Sequence, residues 1–334
     1  MSSPDPSTPE VREPLPASGP EETGSTPQSA RSFLARIVPL VPALIPLGIM
    51  VAIVIALVAE TGFTNFGIEF FSLHWDPVNN QWGIGVFLLG SLITAVPALI
   101  FSMLIGLGIA IASTTYLPRF LSQWLDPFVD LLAGIPSVVY GIWAFIIVAP
   151  YFGSQLEPWM VMNLHFIPGF GGPINTSGLG ILISVFILTL MALPITTLLI
   201  RDALRSVPRD LWESGLALGA TRWEVVRRVA IPHGRRGIFS AAFLGFGRAF
   251  GETVAVAMII GTATVLPKNV YDIGNTMAAQ MFELLDSAIG GTGSPQFLAA
   301  IAEMALVLLG ISLIVNILGR RLISSLYTQQ IQGL

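Results

Sequence analysis

Cysteine is absent from this sequence, which excludes a disulfide framework and any thiolate metal site. Histidine occurs three times, at His74, His165 and His233, positions too scattered to suggest a metal cluster. Lysine occurs once, at Lys268 in Leu266-Pro267-Lys268-Asn269. A nucleotide P-loop needs a glycine-rich backbone followed by Lys and then Ser or Thr to hold the phosphates, and no such segment exists. The chain is therefore expected to bind no cofactor, and any ATP used on its behalf is expected to be hydrolysed by a partner subunit. Charge is scarce as well: 11% of residues are Asp, Glu, Lys or Arg, where soluble globular chains carry about a quarter. The formal net charge is −4, and residues 1–30 account for all of it, with Asp5, Glu10, Glu13, Glu21 and Glu22 set against Arg12. The remainder is balanced, so nothing points to a nucleic-acid partner.

What is present is apolar: 53% of the 334 residues are hydrophobic and the mean hydropathy is +0.76. Six runs, roughly 34–59, 84–113, 128–150, 178–200, 237–265 and 296–319, are long enough to span a bilayer and predict an all-α integral membrane protein with six transmembrane helices. Pro97, Pro136, Pro194, Gly106 and Gly108 fall inside these runs, which membrane helices tolerate where neighbours satisfy the freed backbone groups. Apolar character starts at Phe33, too far from the N-terminus and for too long a run to read as a secretory signal.

Residues 1–32, rich in Pro, Ser, Glu and Thr, read as a disordered cytoplasmic tail. Residues 33–325 form the membrane domain, and 326–334 a short cytoplasmic C-terminus. Basic residues set the orientation. Arg31 precedes the first run and Arg36 stands at its start, Arg119 lies between the second and third, eight arginines from Arg201 to Arg236 lie between the fourth and fifth, and Arg320 and Arg321 follow the sixth. The alternate loops hold Lys268 alone. Both termini are thus expected in the cytoplasm of a multi-pass cell-membrane protein surrounded by lipid. The outer loops, near 60–82, 151–177 and 266–294, are longer than hairpins, and the last has room for a short amphipathic helix around Thr276–Leu285. Phe170-Gly171-Gly172-Pro173 reads as a turn.

Residues 201–236 are the most informative polar stretch. Pro208 suits a helix start, and Asp210 and Glu213 complement the positive end of the helix dipole. Leu211, Trp212, Gly215, Leu216, Leu218 and Gly219 give an apolar, small-residue face. Gly219 can end that helix, and Thr221-Arg222-Trp223-Glu224 has the form of a capping box opening a second, which Pro232 is expected to close. Trp223, Val225, Val226 and Val229 are expected on one side of it, with arginines on the other. On these residues alone, a helix pair lying on anionic lipid and a protein-docking elbow are both open.

Charged side chains inside the apolar runs are few, and three stand out: Arg248 and Glu252 in the fifth and Glu303 in the sixth. Such groups are costly in lipid and face a partner or a water-filled path. Four residues apart, Arg248 and Glu252 are expected on one helix face, where they can pair. Gly247 and Gly251 fit a small-xxx-small surface for close helix packing. Glu303 reads as a satisfied interior acid.

Two stretches carry a resemblance. Glu213-Ser214-Gly215-Leu216-Ala217-Leu218-Gly219-Ala220-Thr221-Arg222-Trp223, ending at Ile231-Pro232, resembles the loop by which permeases of ABC importers dock their ATPases. It departs in having Ser214 and Gly215 where two alanines are usual. Gly247-Arg248-Ala249-Phe250-Gly251-Glu252-Thr253-Val254-Ala255-Val256-Ala257-Met258-Ile259-Ile260-Gly261, together with Ile135-Pro136-Ser137-Val138-Val139-Tyr140-Gly141, is similar to the signatures of the PstC-type phosphate permeases. Val254 stands for a common Met and Thr262 for a common Asn.

The resemblance covers about 80–325 and implies a type I ABC-importer permease fold. It implies a PstA-like second permease, two PstB-like ATPase subunits and an extracytoplasmic PstS-like phosphate-binding protein as partners. It further implies that Arg248 and Glu252 line the phosphate path, and that Glu213, Gly215, Leu216, Gly219, Ala220, Arg222, Trp223 and Pro232 belong to the docking element. A permease for another oxyanion, such as molybdate or phosphonate, is the neighbouring reading. A secondary transporter would need paired half-structures, and the six runs show no evident repeat.

Overall fold

The computed structural model describes residues 40–62, 67–290 and 294–332; the expected tail at 1–32 and the start of the first run at 33–39 lie outside them. Two compact units divide the chain between residues 53 and 54. Helix α1, Leu40–Thr61, crosses that division and is apolar along its length. Its Leu44, Ile45, Leu47, Ile49 and Ile55 are exposed, as a helix bathed in lipid requires.

In the larger unit, a short hairpin of β1, Trp75–Asp76, and β2, Gln81–Trp82, leads into α2, Gly85–Tyr116, whose last five residues form a π-turn. Helix α3, Arg119–Gly134, is followed by α4, Ser137–Leu164. Then come α5, Ile181–Arg205, and α6, Arg209–Ala217. Helix α7 runs over 222–250 with a π-turn at Val226–Ala230. The short α8, Val254–Ala257, then α9, Met277–Ile289, and α10, Pro295–Gln332, complete the order.

The centre of the unit is α5, packed on α2 and α7, while α7 also packs on α10. Ile183, Ile187, Leu188 and Ile200 of α5 are almost wholly buried. Hydroxyls stitch the helices together: Thr189 Oγ1 donates within its own helix to Val185 O at 2.7 Å, and Thr196 Oγ1 lies 3.3 Å from Ser102 O of α2. Small residues allow the approach. A Cβ at Gly106 would stand 3.1 Å from Thr196 Oγ1, and one at Gly245 of α7 would stand 2.5 Å from Thr196 Cγ2.

Among the described residues, five helices are long and apolar enough to cross a membrane, one fewer than the apolar runs. Three expectations are corrected here. The run 237–265 is no continuous helix: α7 ends at Phe250, and its last 20 residues hold Arg235, Arg236 and Arg248. The run 128–150 is divided at Ile135–Pro136, both extended, into an amphipathic α3 and a separate α4 that continues to Leu164. The residue before a proline is pushed out of the helical region, which makes the break. Finally, Pro232 does not close the second helix of the polar loop but sits in the first turn after the π-turn, as α7 continues. The wider π-turn absorbs the carbonyls that the proline leaves without an N–H partner.

Candidate transport site and docking loop

Helix α7 stops where Gly251 N–H closes the last turn on Gly247 O at 3.2 Å. Glu252 and Thr253 lie outside helix before α8 begins at Val254. Ala255 and Val256 of α8 are buried, and α4 comes up against them at Gly141, where a Cβ would stand 3.0 Å from Ala255 Cα. The chain then folds back on itself: Gly274 N–H donates to Ile260 O, and Gly180 N–H to Ile259 O. Gly261 and Thr262 make this bend with φ of +89° and +57°, and glycine takes the first at little cost. From the same outer segment, Asp272 and Val270 accept the N–H groups of Ile181 and Leu182 at the start of α5.

Arg248 is exposed at the end of α7. Its Nε donates to the Met191 carbonyl of α5 at 3.3 Å. The Nη groups of Arg248 have no partner among the described residues. Glu252 is half-buried and makes no ion pair with Arg248 there. The expected common helix face is therefore lost, because the helix ends between the two. Gly247 does face another helix, with a Cβ position 3.6 Å from the Asn316 side chain of α10. Gly251 does not: it is exposed and serves as the helix end. Glu303 of α10 is fully buried.

The polar loop is an elbow. Pro208 stands at the N-cap of α6, and Gly219, at φ +82°, turns the chain after Leu218. Thr221 then opens α7 through a capping box: its Oγ1 accepts from Glu224 N–H at 3.3 Å, while Glu224 Oε2 accepts from Thr221 N–H at 2.9 Å. The Thr221 N–H foremost, and then the Thr221 hydroxyl at 3.0 Å from Oε2, hold the Glu224 carboxyl below the usual range.

Val225 and Val226 are buried, and Gly215 sits against Val225. Trp223 does not join them as expected; it is half exposed, and Leu211, Leu216 and Leu218 of the same elbow are exposed as well. Glu213 and Ala217 are exposed and Ala220 half-buried. Helix α6 buries no residue fully, so its outer face is free. The Arg222 side chain reaches back to α2, donating from Nη1 to Thr115 O at 3.2 Å.

Sequence reasoning missed an ion cluster just above this elbow. Arg201, 5% exposed, bonds Asp126 of α3 at 2.7 Å and lies 3.7 Å from Asp130, while Arg205 reaches Asp126 at 2.9 Å. The spacing of Asp126 and Asp130 within an otherwise apolar stretch was the available signal for an amphipathic helix. At the other end of the bundle, Asn275 Nδ2 donates to Gln280 Oε1 at 2.6 Å and to Glu283 Oε2 at 3.0 Å. Thr276 caps the outer helix expected near 276–285, now α9. Among the described residues no His, Cys, Asp or Glu group is arranged to hold a metal.

A bundle of apolar helices, one of them broken after an arginine, with a polar elbow at one end, is the architecture of a polytopic membrane protein. The chain belongs to the binding-protein-dependent transport system inner membrane components, whose family model matches residues 102–326. It is 35% identical to the phosphate transport system permease protein PstC of Mesorhizobium japonicum over 77% of this chain and 78% of that protein. The PstC of Haemophilus influenzae is also 35% identical, over 85% of this chain and 90% of its own length. In fold, it is similar to a bacterial ABC transporter involved in the import of the acidic polysaccharide alginate. That match has a TM-score of 0.54 at 18% identity, covering 88% of this chain and 99% of that one.

Proposed function

We propose that this chain is the permease subunit of an ATP-driven importer of inorganic phosphate. It forms the translocation path with a PstA-like second permease and receives phosphate from an extracytoplasmic PstS-like protein. Two PstB-like ATPase subunits dock at its elbow and that of the second permease. The observation that carries this reading is Arg248. Its guanidinium is anchored through Nε at the broken end of α7 and keeps its Nη groups for an anion. Paired N–H groups in a fixed plane suit phosphate oxygens.

Glu252, on the far side of the break, orients Arg248 once the anion is bound or accepts the hydrogen of a protonated phosphate oxygen, a contact that sulfate, fully ionised near neutral pH, does not offer. Because Glu252 and Glu303 outnumber the free cation here, the second permease supplies a further arginine. Exposed Leu211, Glu213, Leu216, Leu218 and Trp223 form the face that meets the ATPase, and the arginine-rich elbow supports a reading with both termini in the cytoplasm. ATP is bound and hydrolysed on the partner subunit alone.

Uptake of radiolabelled phosphate at low external concentration, in cells lacking this chain, tests the reading. The parent chain restores uptake. R248Q abolishes it while the ATPase still co-purifies, and normal uptake by R248Q dismisses Arg248. E252Q lowers uptake or admits sulfate as a competitor; unchanged uptake with unchanged sulfate rejection removes Glu252 from the path.

A further inference from the structure

Helix α3 is a 16-residue strut, with Pro127 inside it, hung between two proline joints. Leu117–Pro118 at its start and Ile135–Pro136 at its end are both extended. One face carries Phe120, Trp124, Phe128 and Leu131, all well exposed. The other lies along α5, where its polar attachments are the bonds of Asp126 and Asp130 to Arg201 and Arg205. Arg201 is buried and its Nε has no partner among the described residues, so the two carboxylates carry the burden of neutralising it.

The position of this clamp gives it a second meaning. Arg205 is the last residue of α5, and α6 starts at Arg209, so the clamp is joined to the elbow by a very short stretch of chain. Arg222, from the other arm of the elbow, holds Thr115 O immediately before the first proline joint. Past the second joint, Tyr140 Oη of α4 donates back across the break to Leu132 O of α3 at 3.1 Å. One residue further on, Gly141 presses on Ala255 of α8, the helix that follows Glu252 directly.

We propose that the Arg201/Arg205–Asp126/Asp130 clamp is a coupling joint: it converts displacement of α6 into a swing of α3 about its proline joints, and so shifts the α4–α8 contact beside Arg248 and Glu252. The clamp residues touch neither anion nor nucleotide; they position the elements that do. Ion pairs suit this task because their strength is concentrated at one point, whereas a smooth apolar contact lets helices slide. The inference rests on the reading that α6 docks an ATPase.

The test uses the complete importer, reconstituted into vesicles, and reads phosphate transported per ATP hydrolysed, a ratio that a purely structural role leaves unchanged. D126N is expected to keep ATPase attached and hydrolysis within about twofold of the parent while transport per ATP falls at least about tenfold, with D126E recovering most of it. The more exposed arm gives a second variant, R205Q, with a smaller fall in the same ratio, which decides the matter if D126N does not accumulate. A parent-like ratio in R205Q together with a parent-like or unmeasurable D126N overturns the proposal. So does a loss of transport and hydrolysis in strict parallel. If the unsubstituted chain retains no ATPase at all, the docking reading falls first, and the coupling joint falls with it.

Discussion

Gly215 of α6 lies against Val225 of α7 so closely that a Cβ at Gly215 would stand 3.0 Å from Val225 Cγ2 and 3.6 Å from Cγ1. This contact is on the inside of the elbow, where α6 and α7 meet, and not on the face left open to a partner. Glycine where the importer loop usually has alanine is therefore a matter of how tightly this elbow folds. Val225 is itself almost wholly buried beneath it.

Substitution of Gly215 separates two opposed terms. Alanine gains up to about 1 kcal/mol of helix propensity but obliges Val225 to yield by a few tenths of an ångström, so G215A should change elbow stability little. Valine overpacks the contact at a cost of about 1–3 kcal/mol and opens the elbow. Co-purification of the ATPase with detergent-solubilised importer should be near parental for G215A and clearly reduced for G215V; parental recovery with G215V contradicts the close contact.

The capping box gives the elbow a pH dependence of fixed sign. The Glu224 carboxyl is held below its ordinary value by the Thr221 N–H and hydroxyl. A lowered folded-state value means a contribution present above the unfolded value, near about 4.3, and lost as pH falls through the folded one. Limited proteolysis of the 206–224 segment should accelerate below that window. T221A, which removes a cap of about 1 kcal/mol, should show faster cleavage already at neutral pH, and E224Q should flatten the acid response. A parent chain whose cleavage rate does not change on acidification removes the carboxylate from the account.

Glu283 has the opposite sign. In α9, outside the five candidate spans, burial raises its carboxyl above the usual range, against the opposing bond from Asn275. A raised folded-state value means stability present below the unfolded value and lost as pH rises through the folded one. E283Q keeps an acceptor for Asn275 Nδ2 without the charge, so it should melt at a higher temperature than the parent at pH 8 and similarly at pH 4. Thermal unfolding of the detergent-solubilised chain measures this, and a lower melting temperature for E283Q at pH 8 counts against it.

Much of the candidate site was legible from local features. Gly219 and Thr221-Arg222-Trp223-Glu224 announced the elbow because left-handed turns and capping boxes are built within a few consecutive residues. Trp223 was misplaced because a helical face does not say which of its sides another helix will cover. The break after Phe250 was missed because the residues on both sides are equally apolar, and a hydropathy run does not register a helix that stops within it.

The sequence alone determined that this is a lipid-embedded, helical, cysteine-free chain with one arginine-rich loop, since composition and apolar run length are sums over neighbouring residues. Its kinship with the PstC permeases was also legible there. Only the tertiary structure decided that Asp126 meets Arg201, residues 75 positions apart, and that Gly141 bears on Ala255. It also showed that Arg248 and Glu252 stand on opposite sides of a helix end. Buried charges and close backbone contacts depend on which helices pack together, and no local window of sequence holds that information.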